Sequence, residues 1–150
     1  MEIGEAFGRL ENILSEVKVG ILSTVDDQGK PHMRWMTPIV AKGRKGCLYA
    51  VSSPRFRKVA EIEACPDVAW LFQTKALDEI MLVRGKICAI DNPQLKSEII
   101  EGIGRNLEIF WRTNPNESEM VVLETTIEEI EYQLPLKGRR EIVKLGRNAE

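Results

Sequence analysis

The sequence predicts an α+β fold, an antiparallel β-barrel of about six strands with helices at its periphery. Extended segments follow one another across short polar turns, which suit hairpins rather than crossovers. Helical periodicity is confined to the first 17 residues and to segments between strands. The 150 residues, of which 43% are hydrophobic and 29% charged, match one soluble globular domain spanning 1–150.

The elements follow from periodicity and turn residues. A helix is expected over residues 1–17, because apolar side chains recur there at helical spacing. Strands and helices are then expected, in order, as strand 19–25, strand 32–41, strand 47–51, helix 54–65, strands 68–74 and 80–90, a helix from residue 93 and a long extended segment 120–134. The basic residues of 137–140 are expected to belong to a solvated terminus.

Charge and composition exclude several classes of protein. A net charge of −2 and a pI near 5.6 provide no general attraction to nucleic acid or a membrane surface, so neither is an expected partner. The first residues lack the pattern of a signal peptide, and no stretch reaches the ~18 apolar residues that span a bilayer, so a cytoplasmic protein is expected. One histidine and three widely spaced cysteines make no metal-ligand set, and the cysteines are expected to be small buried hydrophobic residues.

The segment 51–63 carries the wrong charge for the helix that it is predicted to begin. Ser52 or Ser53 is a candidate N-cap with a proline next to it, which places the cations Arg57 and Lys58 in the opening turns. A helix N-terminus already holds about half a unit of positive charge and therefore favours anions. A phosphate held by free backbone N–H groups, a serine hydroxyl and these cations would remove the conflict.

The alternative interpretation of this helix requires no ligand. Arg57 and Glu61 are four residues apart and would pair across an exposed helical face. Phe56, Val59 and Ile62 form an apolar stripe that would dock the helix with or without a bound anion. Both interpretations stay open at the level of this segment.

Arg34 is a second candidate for holding a phosphate. Strand alternation places it on one face with His32 and Met36. An arginine within an apolar strand is costly to bury unpaired, so it should have an anionic partner. That partner is either a glutamate or, if the second strand lies beside the third, the same phosphate at the start of helix 54–65.

Pro38 marks backbone that is available to a ligand. Proline donates no hydrogen bond to a ladder, so the strand is expected to be an edge or bulged there. The N–H and C=O groups around Met36 and Thr37 would then be open to a flat heterocycle with imide-like donors and acceptors. Three tryptophans provide stacking surfaces for such a ring or are simply core residues, namely Trp35, Trp70 and Trp111.

Taken in order, these segments resemble the pyridoxamine 5′-phosphate oxidase-related flavoproteins, which share an FMN-binding split β-barrel. The resemblance covers nearly the whole chain. It runs from Val19-Gly-Ile-Leu-Ser-Thr-Val-Asp-Asp-Gln-Gly-Lys-Pro-His32 through Leu48-Tyr-Ala50, the Arg57-Lys58 pair and Cys65-Pro-Asp-Val-Ala69 to Val83-Arg-Gly-Lys-Ile87. It implies a homodimer whose two FMN sites lie at the subunit interface.

The resemblance also implies which residues contact the cofactor. The candidates are Arg34, Met36, Thr37, Ser52, Ser53, Arg57, Lys58 and Trp111. The three cations would bind the FMN phosphate, and the serines would lie near the ribityl phosphate. The backbone of Met36 and Thr37 would run beside the isoalloxazine, and Trp111 is a candidate for stacking.

The chain departs from the oxidase pattern at several positions. Phe56 stands where the oxidase has a serine before the Arg-Lys pair, Ile39 replaces a strand lysine, and a flavin-contacting glutamine falls near Ile80. The arginine and histidine cluster that binds pyridoxal phosphate in the oxidase is not found in 137–150. A true pyridoxamine 5′-phosphate oxidase is therefore not expected.

Three functional hypotheses follow. The first is an FMN-dependent oxidoreductase that moves hydride between a donor such as NAD(P)H and an unidentified small substrate, with no side chain assigned as catalytic. The second is a non-catalytic, stress-related flavin-binding protein. The third keeps the barrel and replaces FMN by the deazaflavin F420 or by haem, for which His32 is the one imidazole in the chain.

Overall fold

Seven strands and three α-helices make up the part of the protein that the computed structural model describes. That part comprises residues 1–52, 57–104 and 120–145, with the backbone alone for residues 57–59 and 104. In chain order the elements are α1 (Ile3–Val17), β1 (Gly20–Val25), β2 (Pro31–Met36), β3 (Cys47–Ser52), α2 (Arg57–Ala64), β4 (Asp67–Gln73), β5 (Ile80–Ile90), α3 (Pro93–Gly104), β6 (Val121–Leu134), a 3-10 turn (Pro135–Lys137) and β7 (Arg139–Lys144).

All strand pairs are antiparallel, in the order β2-β1-β4-β5-β6-β3, with β7 on the free half of β6. The two ends of this series meet beyond β2. Ile39 and Tyr49 exchange both backbone hydrogen bonds at 2.8 Å, in an isolated antiparallel bridge. Since β2 and β3 share no other ladder among the described residues, the barrel is split along this line. The predicted α+β split barrel is confirmed, although the second strand is joined to the third only through the residue that follows it.

The longest strand, β6, holds the two halves of the sheet together. It pairs with β5 along its length, with β3 through Val121–Thr126 and with β7 through Glu129–Leu134. The β5–β6 register shifts between Arg84 and Gly85. A side chain on Gly85 would place its Cβ 2.1 Å from the carbonyl oxygen of Thr126, so this close approach of two backbones requires glycine.

The barrel interior is filled by apolar side chains that α1 covers at one side. In α1 the buried residues are Ala6, Leu10, Ile13 and Leu14, which is the predicted helical stripe. Trp70 and Phe72 stack with ring centroids 5.9 Å apart. The Trp70 indole N–H donates to Thr125 Oγ1 at 3.1 Å, so this tryptophan belongs to the core.

A second apolar cluster lies outside the barrel, where α3 packs on β3 and β6. Its buried members are Tyr49, Val51, Leu95, Ile99, Ile100, Ile103, Met120 and Val122. The Asn92 side chain accepts a hydrogen bond from the Leu95 backbone N–H at 3.1 Å. The sequence Asp91-Asn-Pro93 therefore caps and starts α3 as predicted.

Three expectations from the sequence are wrong. The strand expected over 32–41 ends at Met36 and returns only as the bridge at Ile39. Residues 137–140 are exposed as expected, but they are not part of a free terminus, because Arg139 and Arg140 begin β7, which pairs with β6. The three cysteines are not fully buried, because Cys88 is exposed and Cys47 and Cys65 are of intermediate exposure.

Candidate functional site

A buried carboxylate joins α2 to the β1–β2 hairpin. The Glu61 side chain is only 5% exposed. Its Oε1 accepts a hydrogen bond from Thr24 Oγ1 at 2.6 Å and another from Arg34 Nη2 at 3.2 Å. Arg34 also donates from Nη1 to the backbone carbonyl of Leu22 at 3.2 Å. Arg34 is therefore held between a strand and a helix by an anionic partner, as its place in the strand predicted.

The hairpin turn fixes the register that assembles these groups. The Asp26 carboxylate accepts from the backbone N–H groups of Gln28 and Lys30, both at 2.9 Å, and Gly29 supplies the positive φ of 82° that the turn needs. The resulting pairing sets Thr24 opposite His32 on neighbouring strands. It likewise sets Leu22 opposite Arg34. Alternation then places Thr24, His32 and Arg34 on one face, toward α2.

His32 lies between two carboxylates. Its Nε2 is 2.9 Å from Asp26 Oδ2 and 3.7 Å from Glu61 Oε2. The hydrogen bond from His32, together with those from the backbone of Lys30 and Gln28, lowers the pKa of Asp26 below its ordinary value. The single imidazole of the chain therefore serves the internal structure of this site.

The helix α2 brings the remaining predicted cations to the same region. Arg57 and Lys58 occupy the first two positions of α2, four and three residues before Glu61. The helix that they begin contacts the hairpin through Glu61, one turn further along. The candidate phosphate-binding cations come from two elements that the Glu61 contact holds together.

The interpretation of Glu61 as an exposed partner of Arg57 is wrong in one respect. Glu61 is buried, and it contacts Thr24, His32 and Arg34 of the hairpin. Neither Thr24 nor Asp26 was singled out from the sequence, because their roles depend on the hairpin register.

The other predicted site residues have different surroundings. Ser52 is buried as the last residue of β3, and α2 begins five residues later, at Arg57. Met36 is part of the core and Thr37 is also buried. Ser53 and Trp111 lie outside the described residues.

Two cavities adjoin this region. One, of about 240 Å³, is bounded by Thr37, Pro38, Ile39 and Val40 on one side and by residues of α1 and α3 on the other. The second, of about 470 Å³, lies between the hairpin turn and α2, and Asp26 and Glu61 are among its lining residues. The backbone after β2 therefore faces open space, as the position of Pro38 suggested. Within the described residues, no group of three or more His, Cys, Asp or Glu side chains is arranged to hold a metal ion.

Fold and site together define a class of small antiparallel split barrels with a polar, cation-bearing site between a hairpin and a short helix. A family model described as pyridoxamine 5′-phosphate oxidase matches residues 8–134. The chain belongs to this family. A search of curated proteins gives no match.

Solved structures share the fold across most of the chain. General stress protein 26 from Bacillus anthracis is 21% identical with a TM-score of 0.71, covering 97% of this chain and 100% of that one. A pyridoxamine 5′-phosphate oxidase-related, FMN-binding protein from Nostoc punctiforme is 13% identical with a TM-score of 0.66, covering 96% and 95%. A haem-binding protein from Mycobacterium smegmatis is 13% identical with a TM-score of 0.72, covering 93% and 57%. Such identities establish a common fold and leave the ligand to be argued from the site. No described helix has the length and apolar character needed to cross a membrane.

Proposed function

We propose that the protein binds FMN and acts as a flavin-dependent oxidoreductase on a small substrate. The observation that carries the proposal is the Glu61–Arg34 contact, which docks β2 against the helix that begins with Arg57 and Lys58. When bound, FMN would supply the hydride chemistry, and the protein would supply binding and orientation.

The phosphate end of FMN fits the charges of the site. Arg34, Arg57 and Lys58 come from two elements, and Arg57 and Lys58 stand in the first turn of α2, where positive side chains add to the positive end of the helix. A dianionic phosphate there would accept hydrogen bonds from arginine in a bidentate manner and would offset the accumulated charge. Ser52 lies at the end of the strand that leads toward this turn.

The ring end of FMN fits the backbone after β2. Thr37 is three residues beyond Arg34, which corresponds to about 10 Å of extended chain. That length suits the ribityl chain that separates the phosphate from the isoalloxazine. The cavity beside Thr37 and Pro38 gives space for a flat ring along this backbone. The isoalloxazine would stack there beside backbone groups rather than against Trp70, which is committed to the core.

Haem is a weaker candidate for this chain. A haem iron would need His32 as its protein imidazole ligand, since the chain has one histidine. The His32 ring nitrogen already contacts Asp26 at 2.9 Å, and only 27% of the side chain is exposed. F420 stays an alternative, because a cationic clamp for phosphate does not by itself choose between a flavin and a deazaflavin.

A homodimer is part of the proposal, and the outer face of the sheet supports it. Trp35 is 48% exposed and Met33 73% exposed on β2. In register with Trp35 are the partly buried Ile21, Leu71 and Leu82 of the next three strands. We name this set, Trp35, Ile21, Leu71 and Leu82, the outer apolar row. A continuous apolar row on an exposed sheet face is typical of an interaction surface.

The decisive experiment is the visible spectrum of the purified protein, with mass spectrometry of whatever it releases on denaturation. FMN in about one copy per chain is the expected result. A protein that carries no flavin and takes up none when FMN is added would refute the proposal. Release of F420 or haem would show that the protein binds that cofactor in place of FMN.

Catalysis is tested separately from binding. Bleaching of the yellow protein by NAD(P)H, followed by return of colour only when an acceptor is added, is expected of an oxidoreductase. Flavin binding without any turnover would favour the second function, a non-catalytic flavin-binding protein.

A further inference from the structure

We propose that Glu61 is an internal counter-ion that pairs with Arg34 when no phosphate is bound. By doing so, it lowers the affinity of the site for FMN. The inference rests on the proposed function, because it concerns the residue that competes with the FMN phosphate. It assigns Glu61 a role in setting affinity and in limiting the preference of the site for phosphorylated flavin over riboflavin.

In the Glu61–Arg34 contact, the Glu61 carboxylate takes the place that a bound anion would have beside the arginine. Glu61 Oε1 lies 3.2 Å from Arg34 Nη2, and the Glu61 side chain is 5% exposed against 23% for Arg34. A carboxylate so deeply buried requires hydrogen-bond donors, and Thr24 supplies one at 2.6 Å. Arg34 is the more exposed member of the pair, so a ligand phosphate can contact it more readily than it can contact Glu61.

The position of Glu61 in α2 makes the competition direct. Glu61 lies one helical turn after Arg57 and Lys58, on the helix side that meets Arg34. A phosphate that contacts Arg34 and the first turn of α2 must therefore share the arginine with the carboxylate or displace it. In either case Arg34 offers the phosphate less than its full charge, because the Glu61 carboxylate already neutralises part of it.

Removing the carboxylate should therefore have opposite effects on stability and on binding. Glu61→Gln removes the buried carboxylate that contacts Arg34 and Thr24, which destabilises the ligand-free protein. The same change raises the benefit of phosphate binding, because the phosphate then provides the counter-ion. A residue that merely supported the fold would lower stability without tightening the binding of FMN.

The experiment is a double-mutant cycle in which the FMN and riboflavin affinities of the full chain are measured by titration. Glu61→Gln is expected to bind FMN at least about tenfold more tightly, the gain of one charge-assisted hydrogen bond. Its riboflavin affinity should be unchanged, because riboflavin lacks the phosphate. In a chain that carries Arg34→Ala, adding Glu61→Gln should no longer tighten FMN binding.

Glu131→Gln is the matched control. Glu131 is also buried, with 8% exposure, and it pairs with Arg140 at 2.7 Å on β6, whose partner there is β7 rather than the hairpin. This variant removes the same charge from the same kind of ion pair. Because that pair lies outside the proposed site, FMN affinity should stay unchanged. If Glu61→Gln does not fold, Glu61→Asp withdraws the carboxylate by one methylene and should show a smaller tightening.

Three results would overturn the inference. They are unchanged or weaker FMN binding by the Glu61 variants, an equal gain for riboflavin, and an equal gain in the Arg34→Ala chain. If the wild-type protein binds FMN and any of these results is found, only the counter-ion role of Glu61 is refuted. If the wild-type protein binds no FMN, the proposed function is refuted and this inference with it.

Discussion

The indole N–H of Trp70 donates a 3.1 Å hydrogen bond to the hydroxyl of Thr125 across the barrel interior. The two residues belong to β4 and β6, which are separated in the sheet by β5. Both side chains are buried, at 1% exposure each. This bond satisfies a donor that would otherwise be isolated in an apolar core.

Thr125→Val should therefore destabilise the fold. The substitution keeps the side-chain shape and removes the acceptor of the Trp70 N–H, which is expected to lower the free energy of unfolding by about 1–3 kcal/mol. Urea denaturation followed by tryptophan fluorescence measures the change. The exposed neighbour is the control, and Thr126→Val should change stability by less than about 0.5 kcal/mol. Equal effects of the two variants would contradict the role of the hydrogen bond.

The close contact of Gly85 with β6 predicts a strong effect of a single methyl group. Gly85→Ala places a Cβ against the Thr126 carbonyl, and relief of that overlap requires the two strands to move apart. We expect a loss of about 2 kcal/mol or more in the free energy of unfolding. Gly8→Ala in α1 adds the same methyl group where nothing lies within 4 Å, and it should be neutral or stabilising. A stable Gly85→Ala protein would show that the β5–β6 bulge tolerates a side chain.

The proposed phosphate clamp is tested by removing the cations of α2. Arg57→Ala combined with Lys58→Ala should weaken FMN binding by about a hundredfold or more, since two charge-assisted contacts are lost. Riboflavin affinity and thermal stability should change little. The control is Lys42→Ala with Lys45→Ala, which removes two exposed charges from the turn before β3. Equal FMN affinity in both double variants would rule out a phosphate site at the start of α2.

The Glu131–Arg140 pair predicts a pH-dependent part of stability. The hydrogen bond from Arg140 lowers the pKa of Glu131 below its ordinary value of 4.5. Because the pKa of Glu131 is lower in the folded protein than in the unfolded chain, the ion pair adds stability at pH values above the ordinary pKa. This stability is lost as the pH falls through the folded pKa. Arg140→Gln should therefore be less stable than wild type at pH 7, and the loss should be small because Arg140 is largely exposed.

The difference between wild type and Arg140→Gln should narrow as the pH falls through the lowered folded pKa of Glu131, because Glu131 then becomes protonated in both states. Urea denaturation at pH 7 and at a series of acidic pH values measures it. Lys137→Gln, which removes an exposed cation from the preceding turn, should show the same small difference across the series. A gap for Arg140→Gln that persists or widens in acid would contradict this assignment.

The exposed residues Met33 and Trp35, on the β2 strand of the outer apolar row, provide a test of the proposed dimer. Met33→Glu with Trp35→Glu introduces charges on β2 that an apolar interface cannot accommodate, so the protein should become monomeric. Light scattering during size-exclusion chromatography measures the mass. Leu136→Glu changes a residue that is 81% exposed in the turn before β7 and should leave the dimer intact. A wild-type monomer, or a dimer that survives the β2 change, would place the interface elsewhere.

The elements with a strong local pattern were predictable from the sequence. The apolar stripe of α1, the Asn-Pro start of α3 and the hairpin turn after β1 each determine local structure without help from distant residues. The edge character of β2 near Pro38 followed from the missing proline N–H. These features have short-range physical causes, and the structure agrees with them.

The features that depend on pairing between distant segments were not predictable. Glu61 is buried because Thr24 and Arg34 reach it from the hairpin, which no spacing within α2 reveals. Similarly, β7 forms because the second half of β6 has a free edge, while its own sequence is basic and only partly apolar. The candidate site was therefore predicted as a set of cations, and the carboxylate that organises them was not.

The antiparallel partner of β3 has a consequence for how the chain is made. Apart from the bridge at Ile39, the ladder of β3 is completed by β6, which begins at Val121. During synthesis, the apolar segment Cys47–Ser52 lacks its ladder partner until nearly half of the polypeptide has followed it from the ribosome. The nascent protein therefore exposes an apolar, unpaired β3 segment for several seconds at the ribosome. We expect chaperones to bind chains whose synthesis is stalled before Val121.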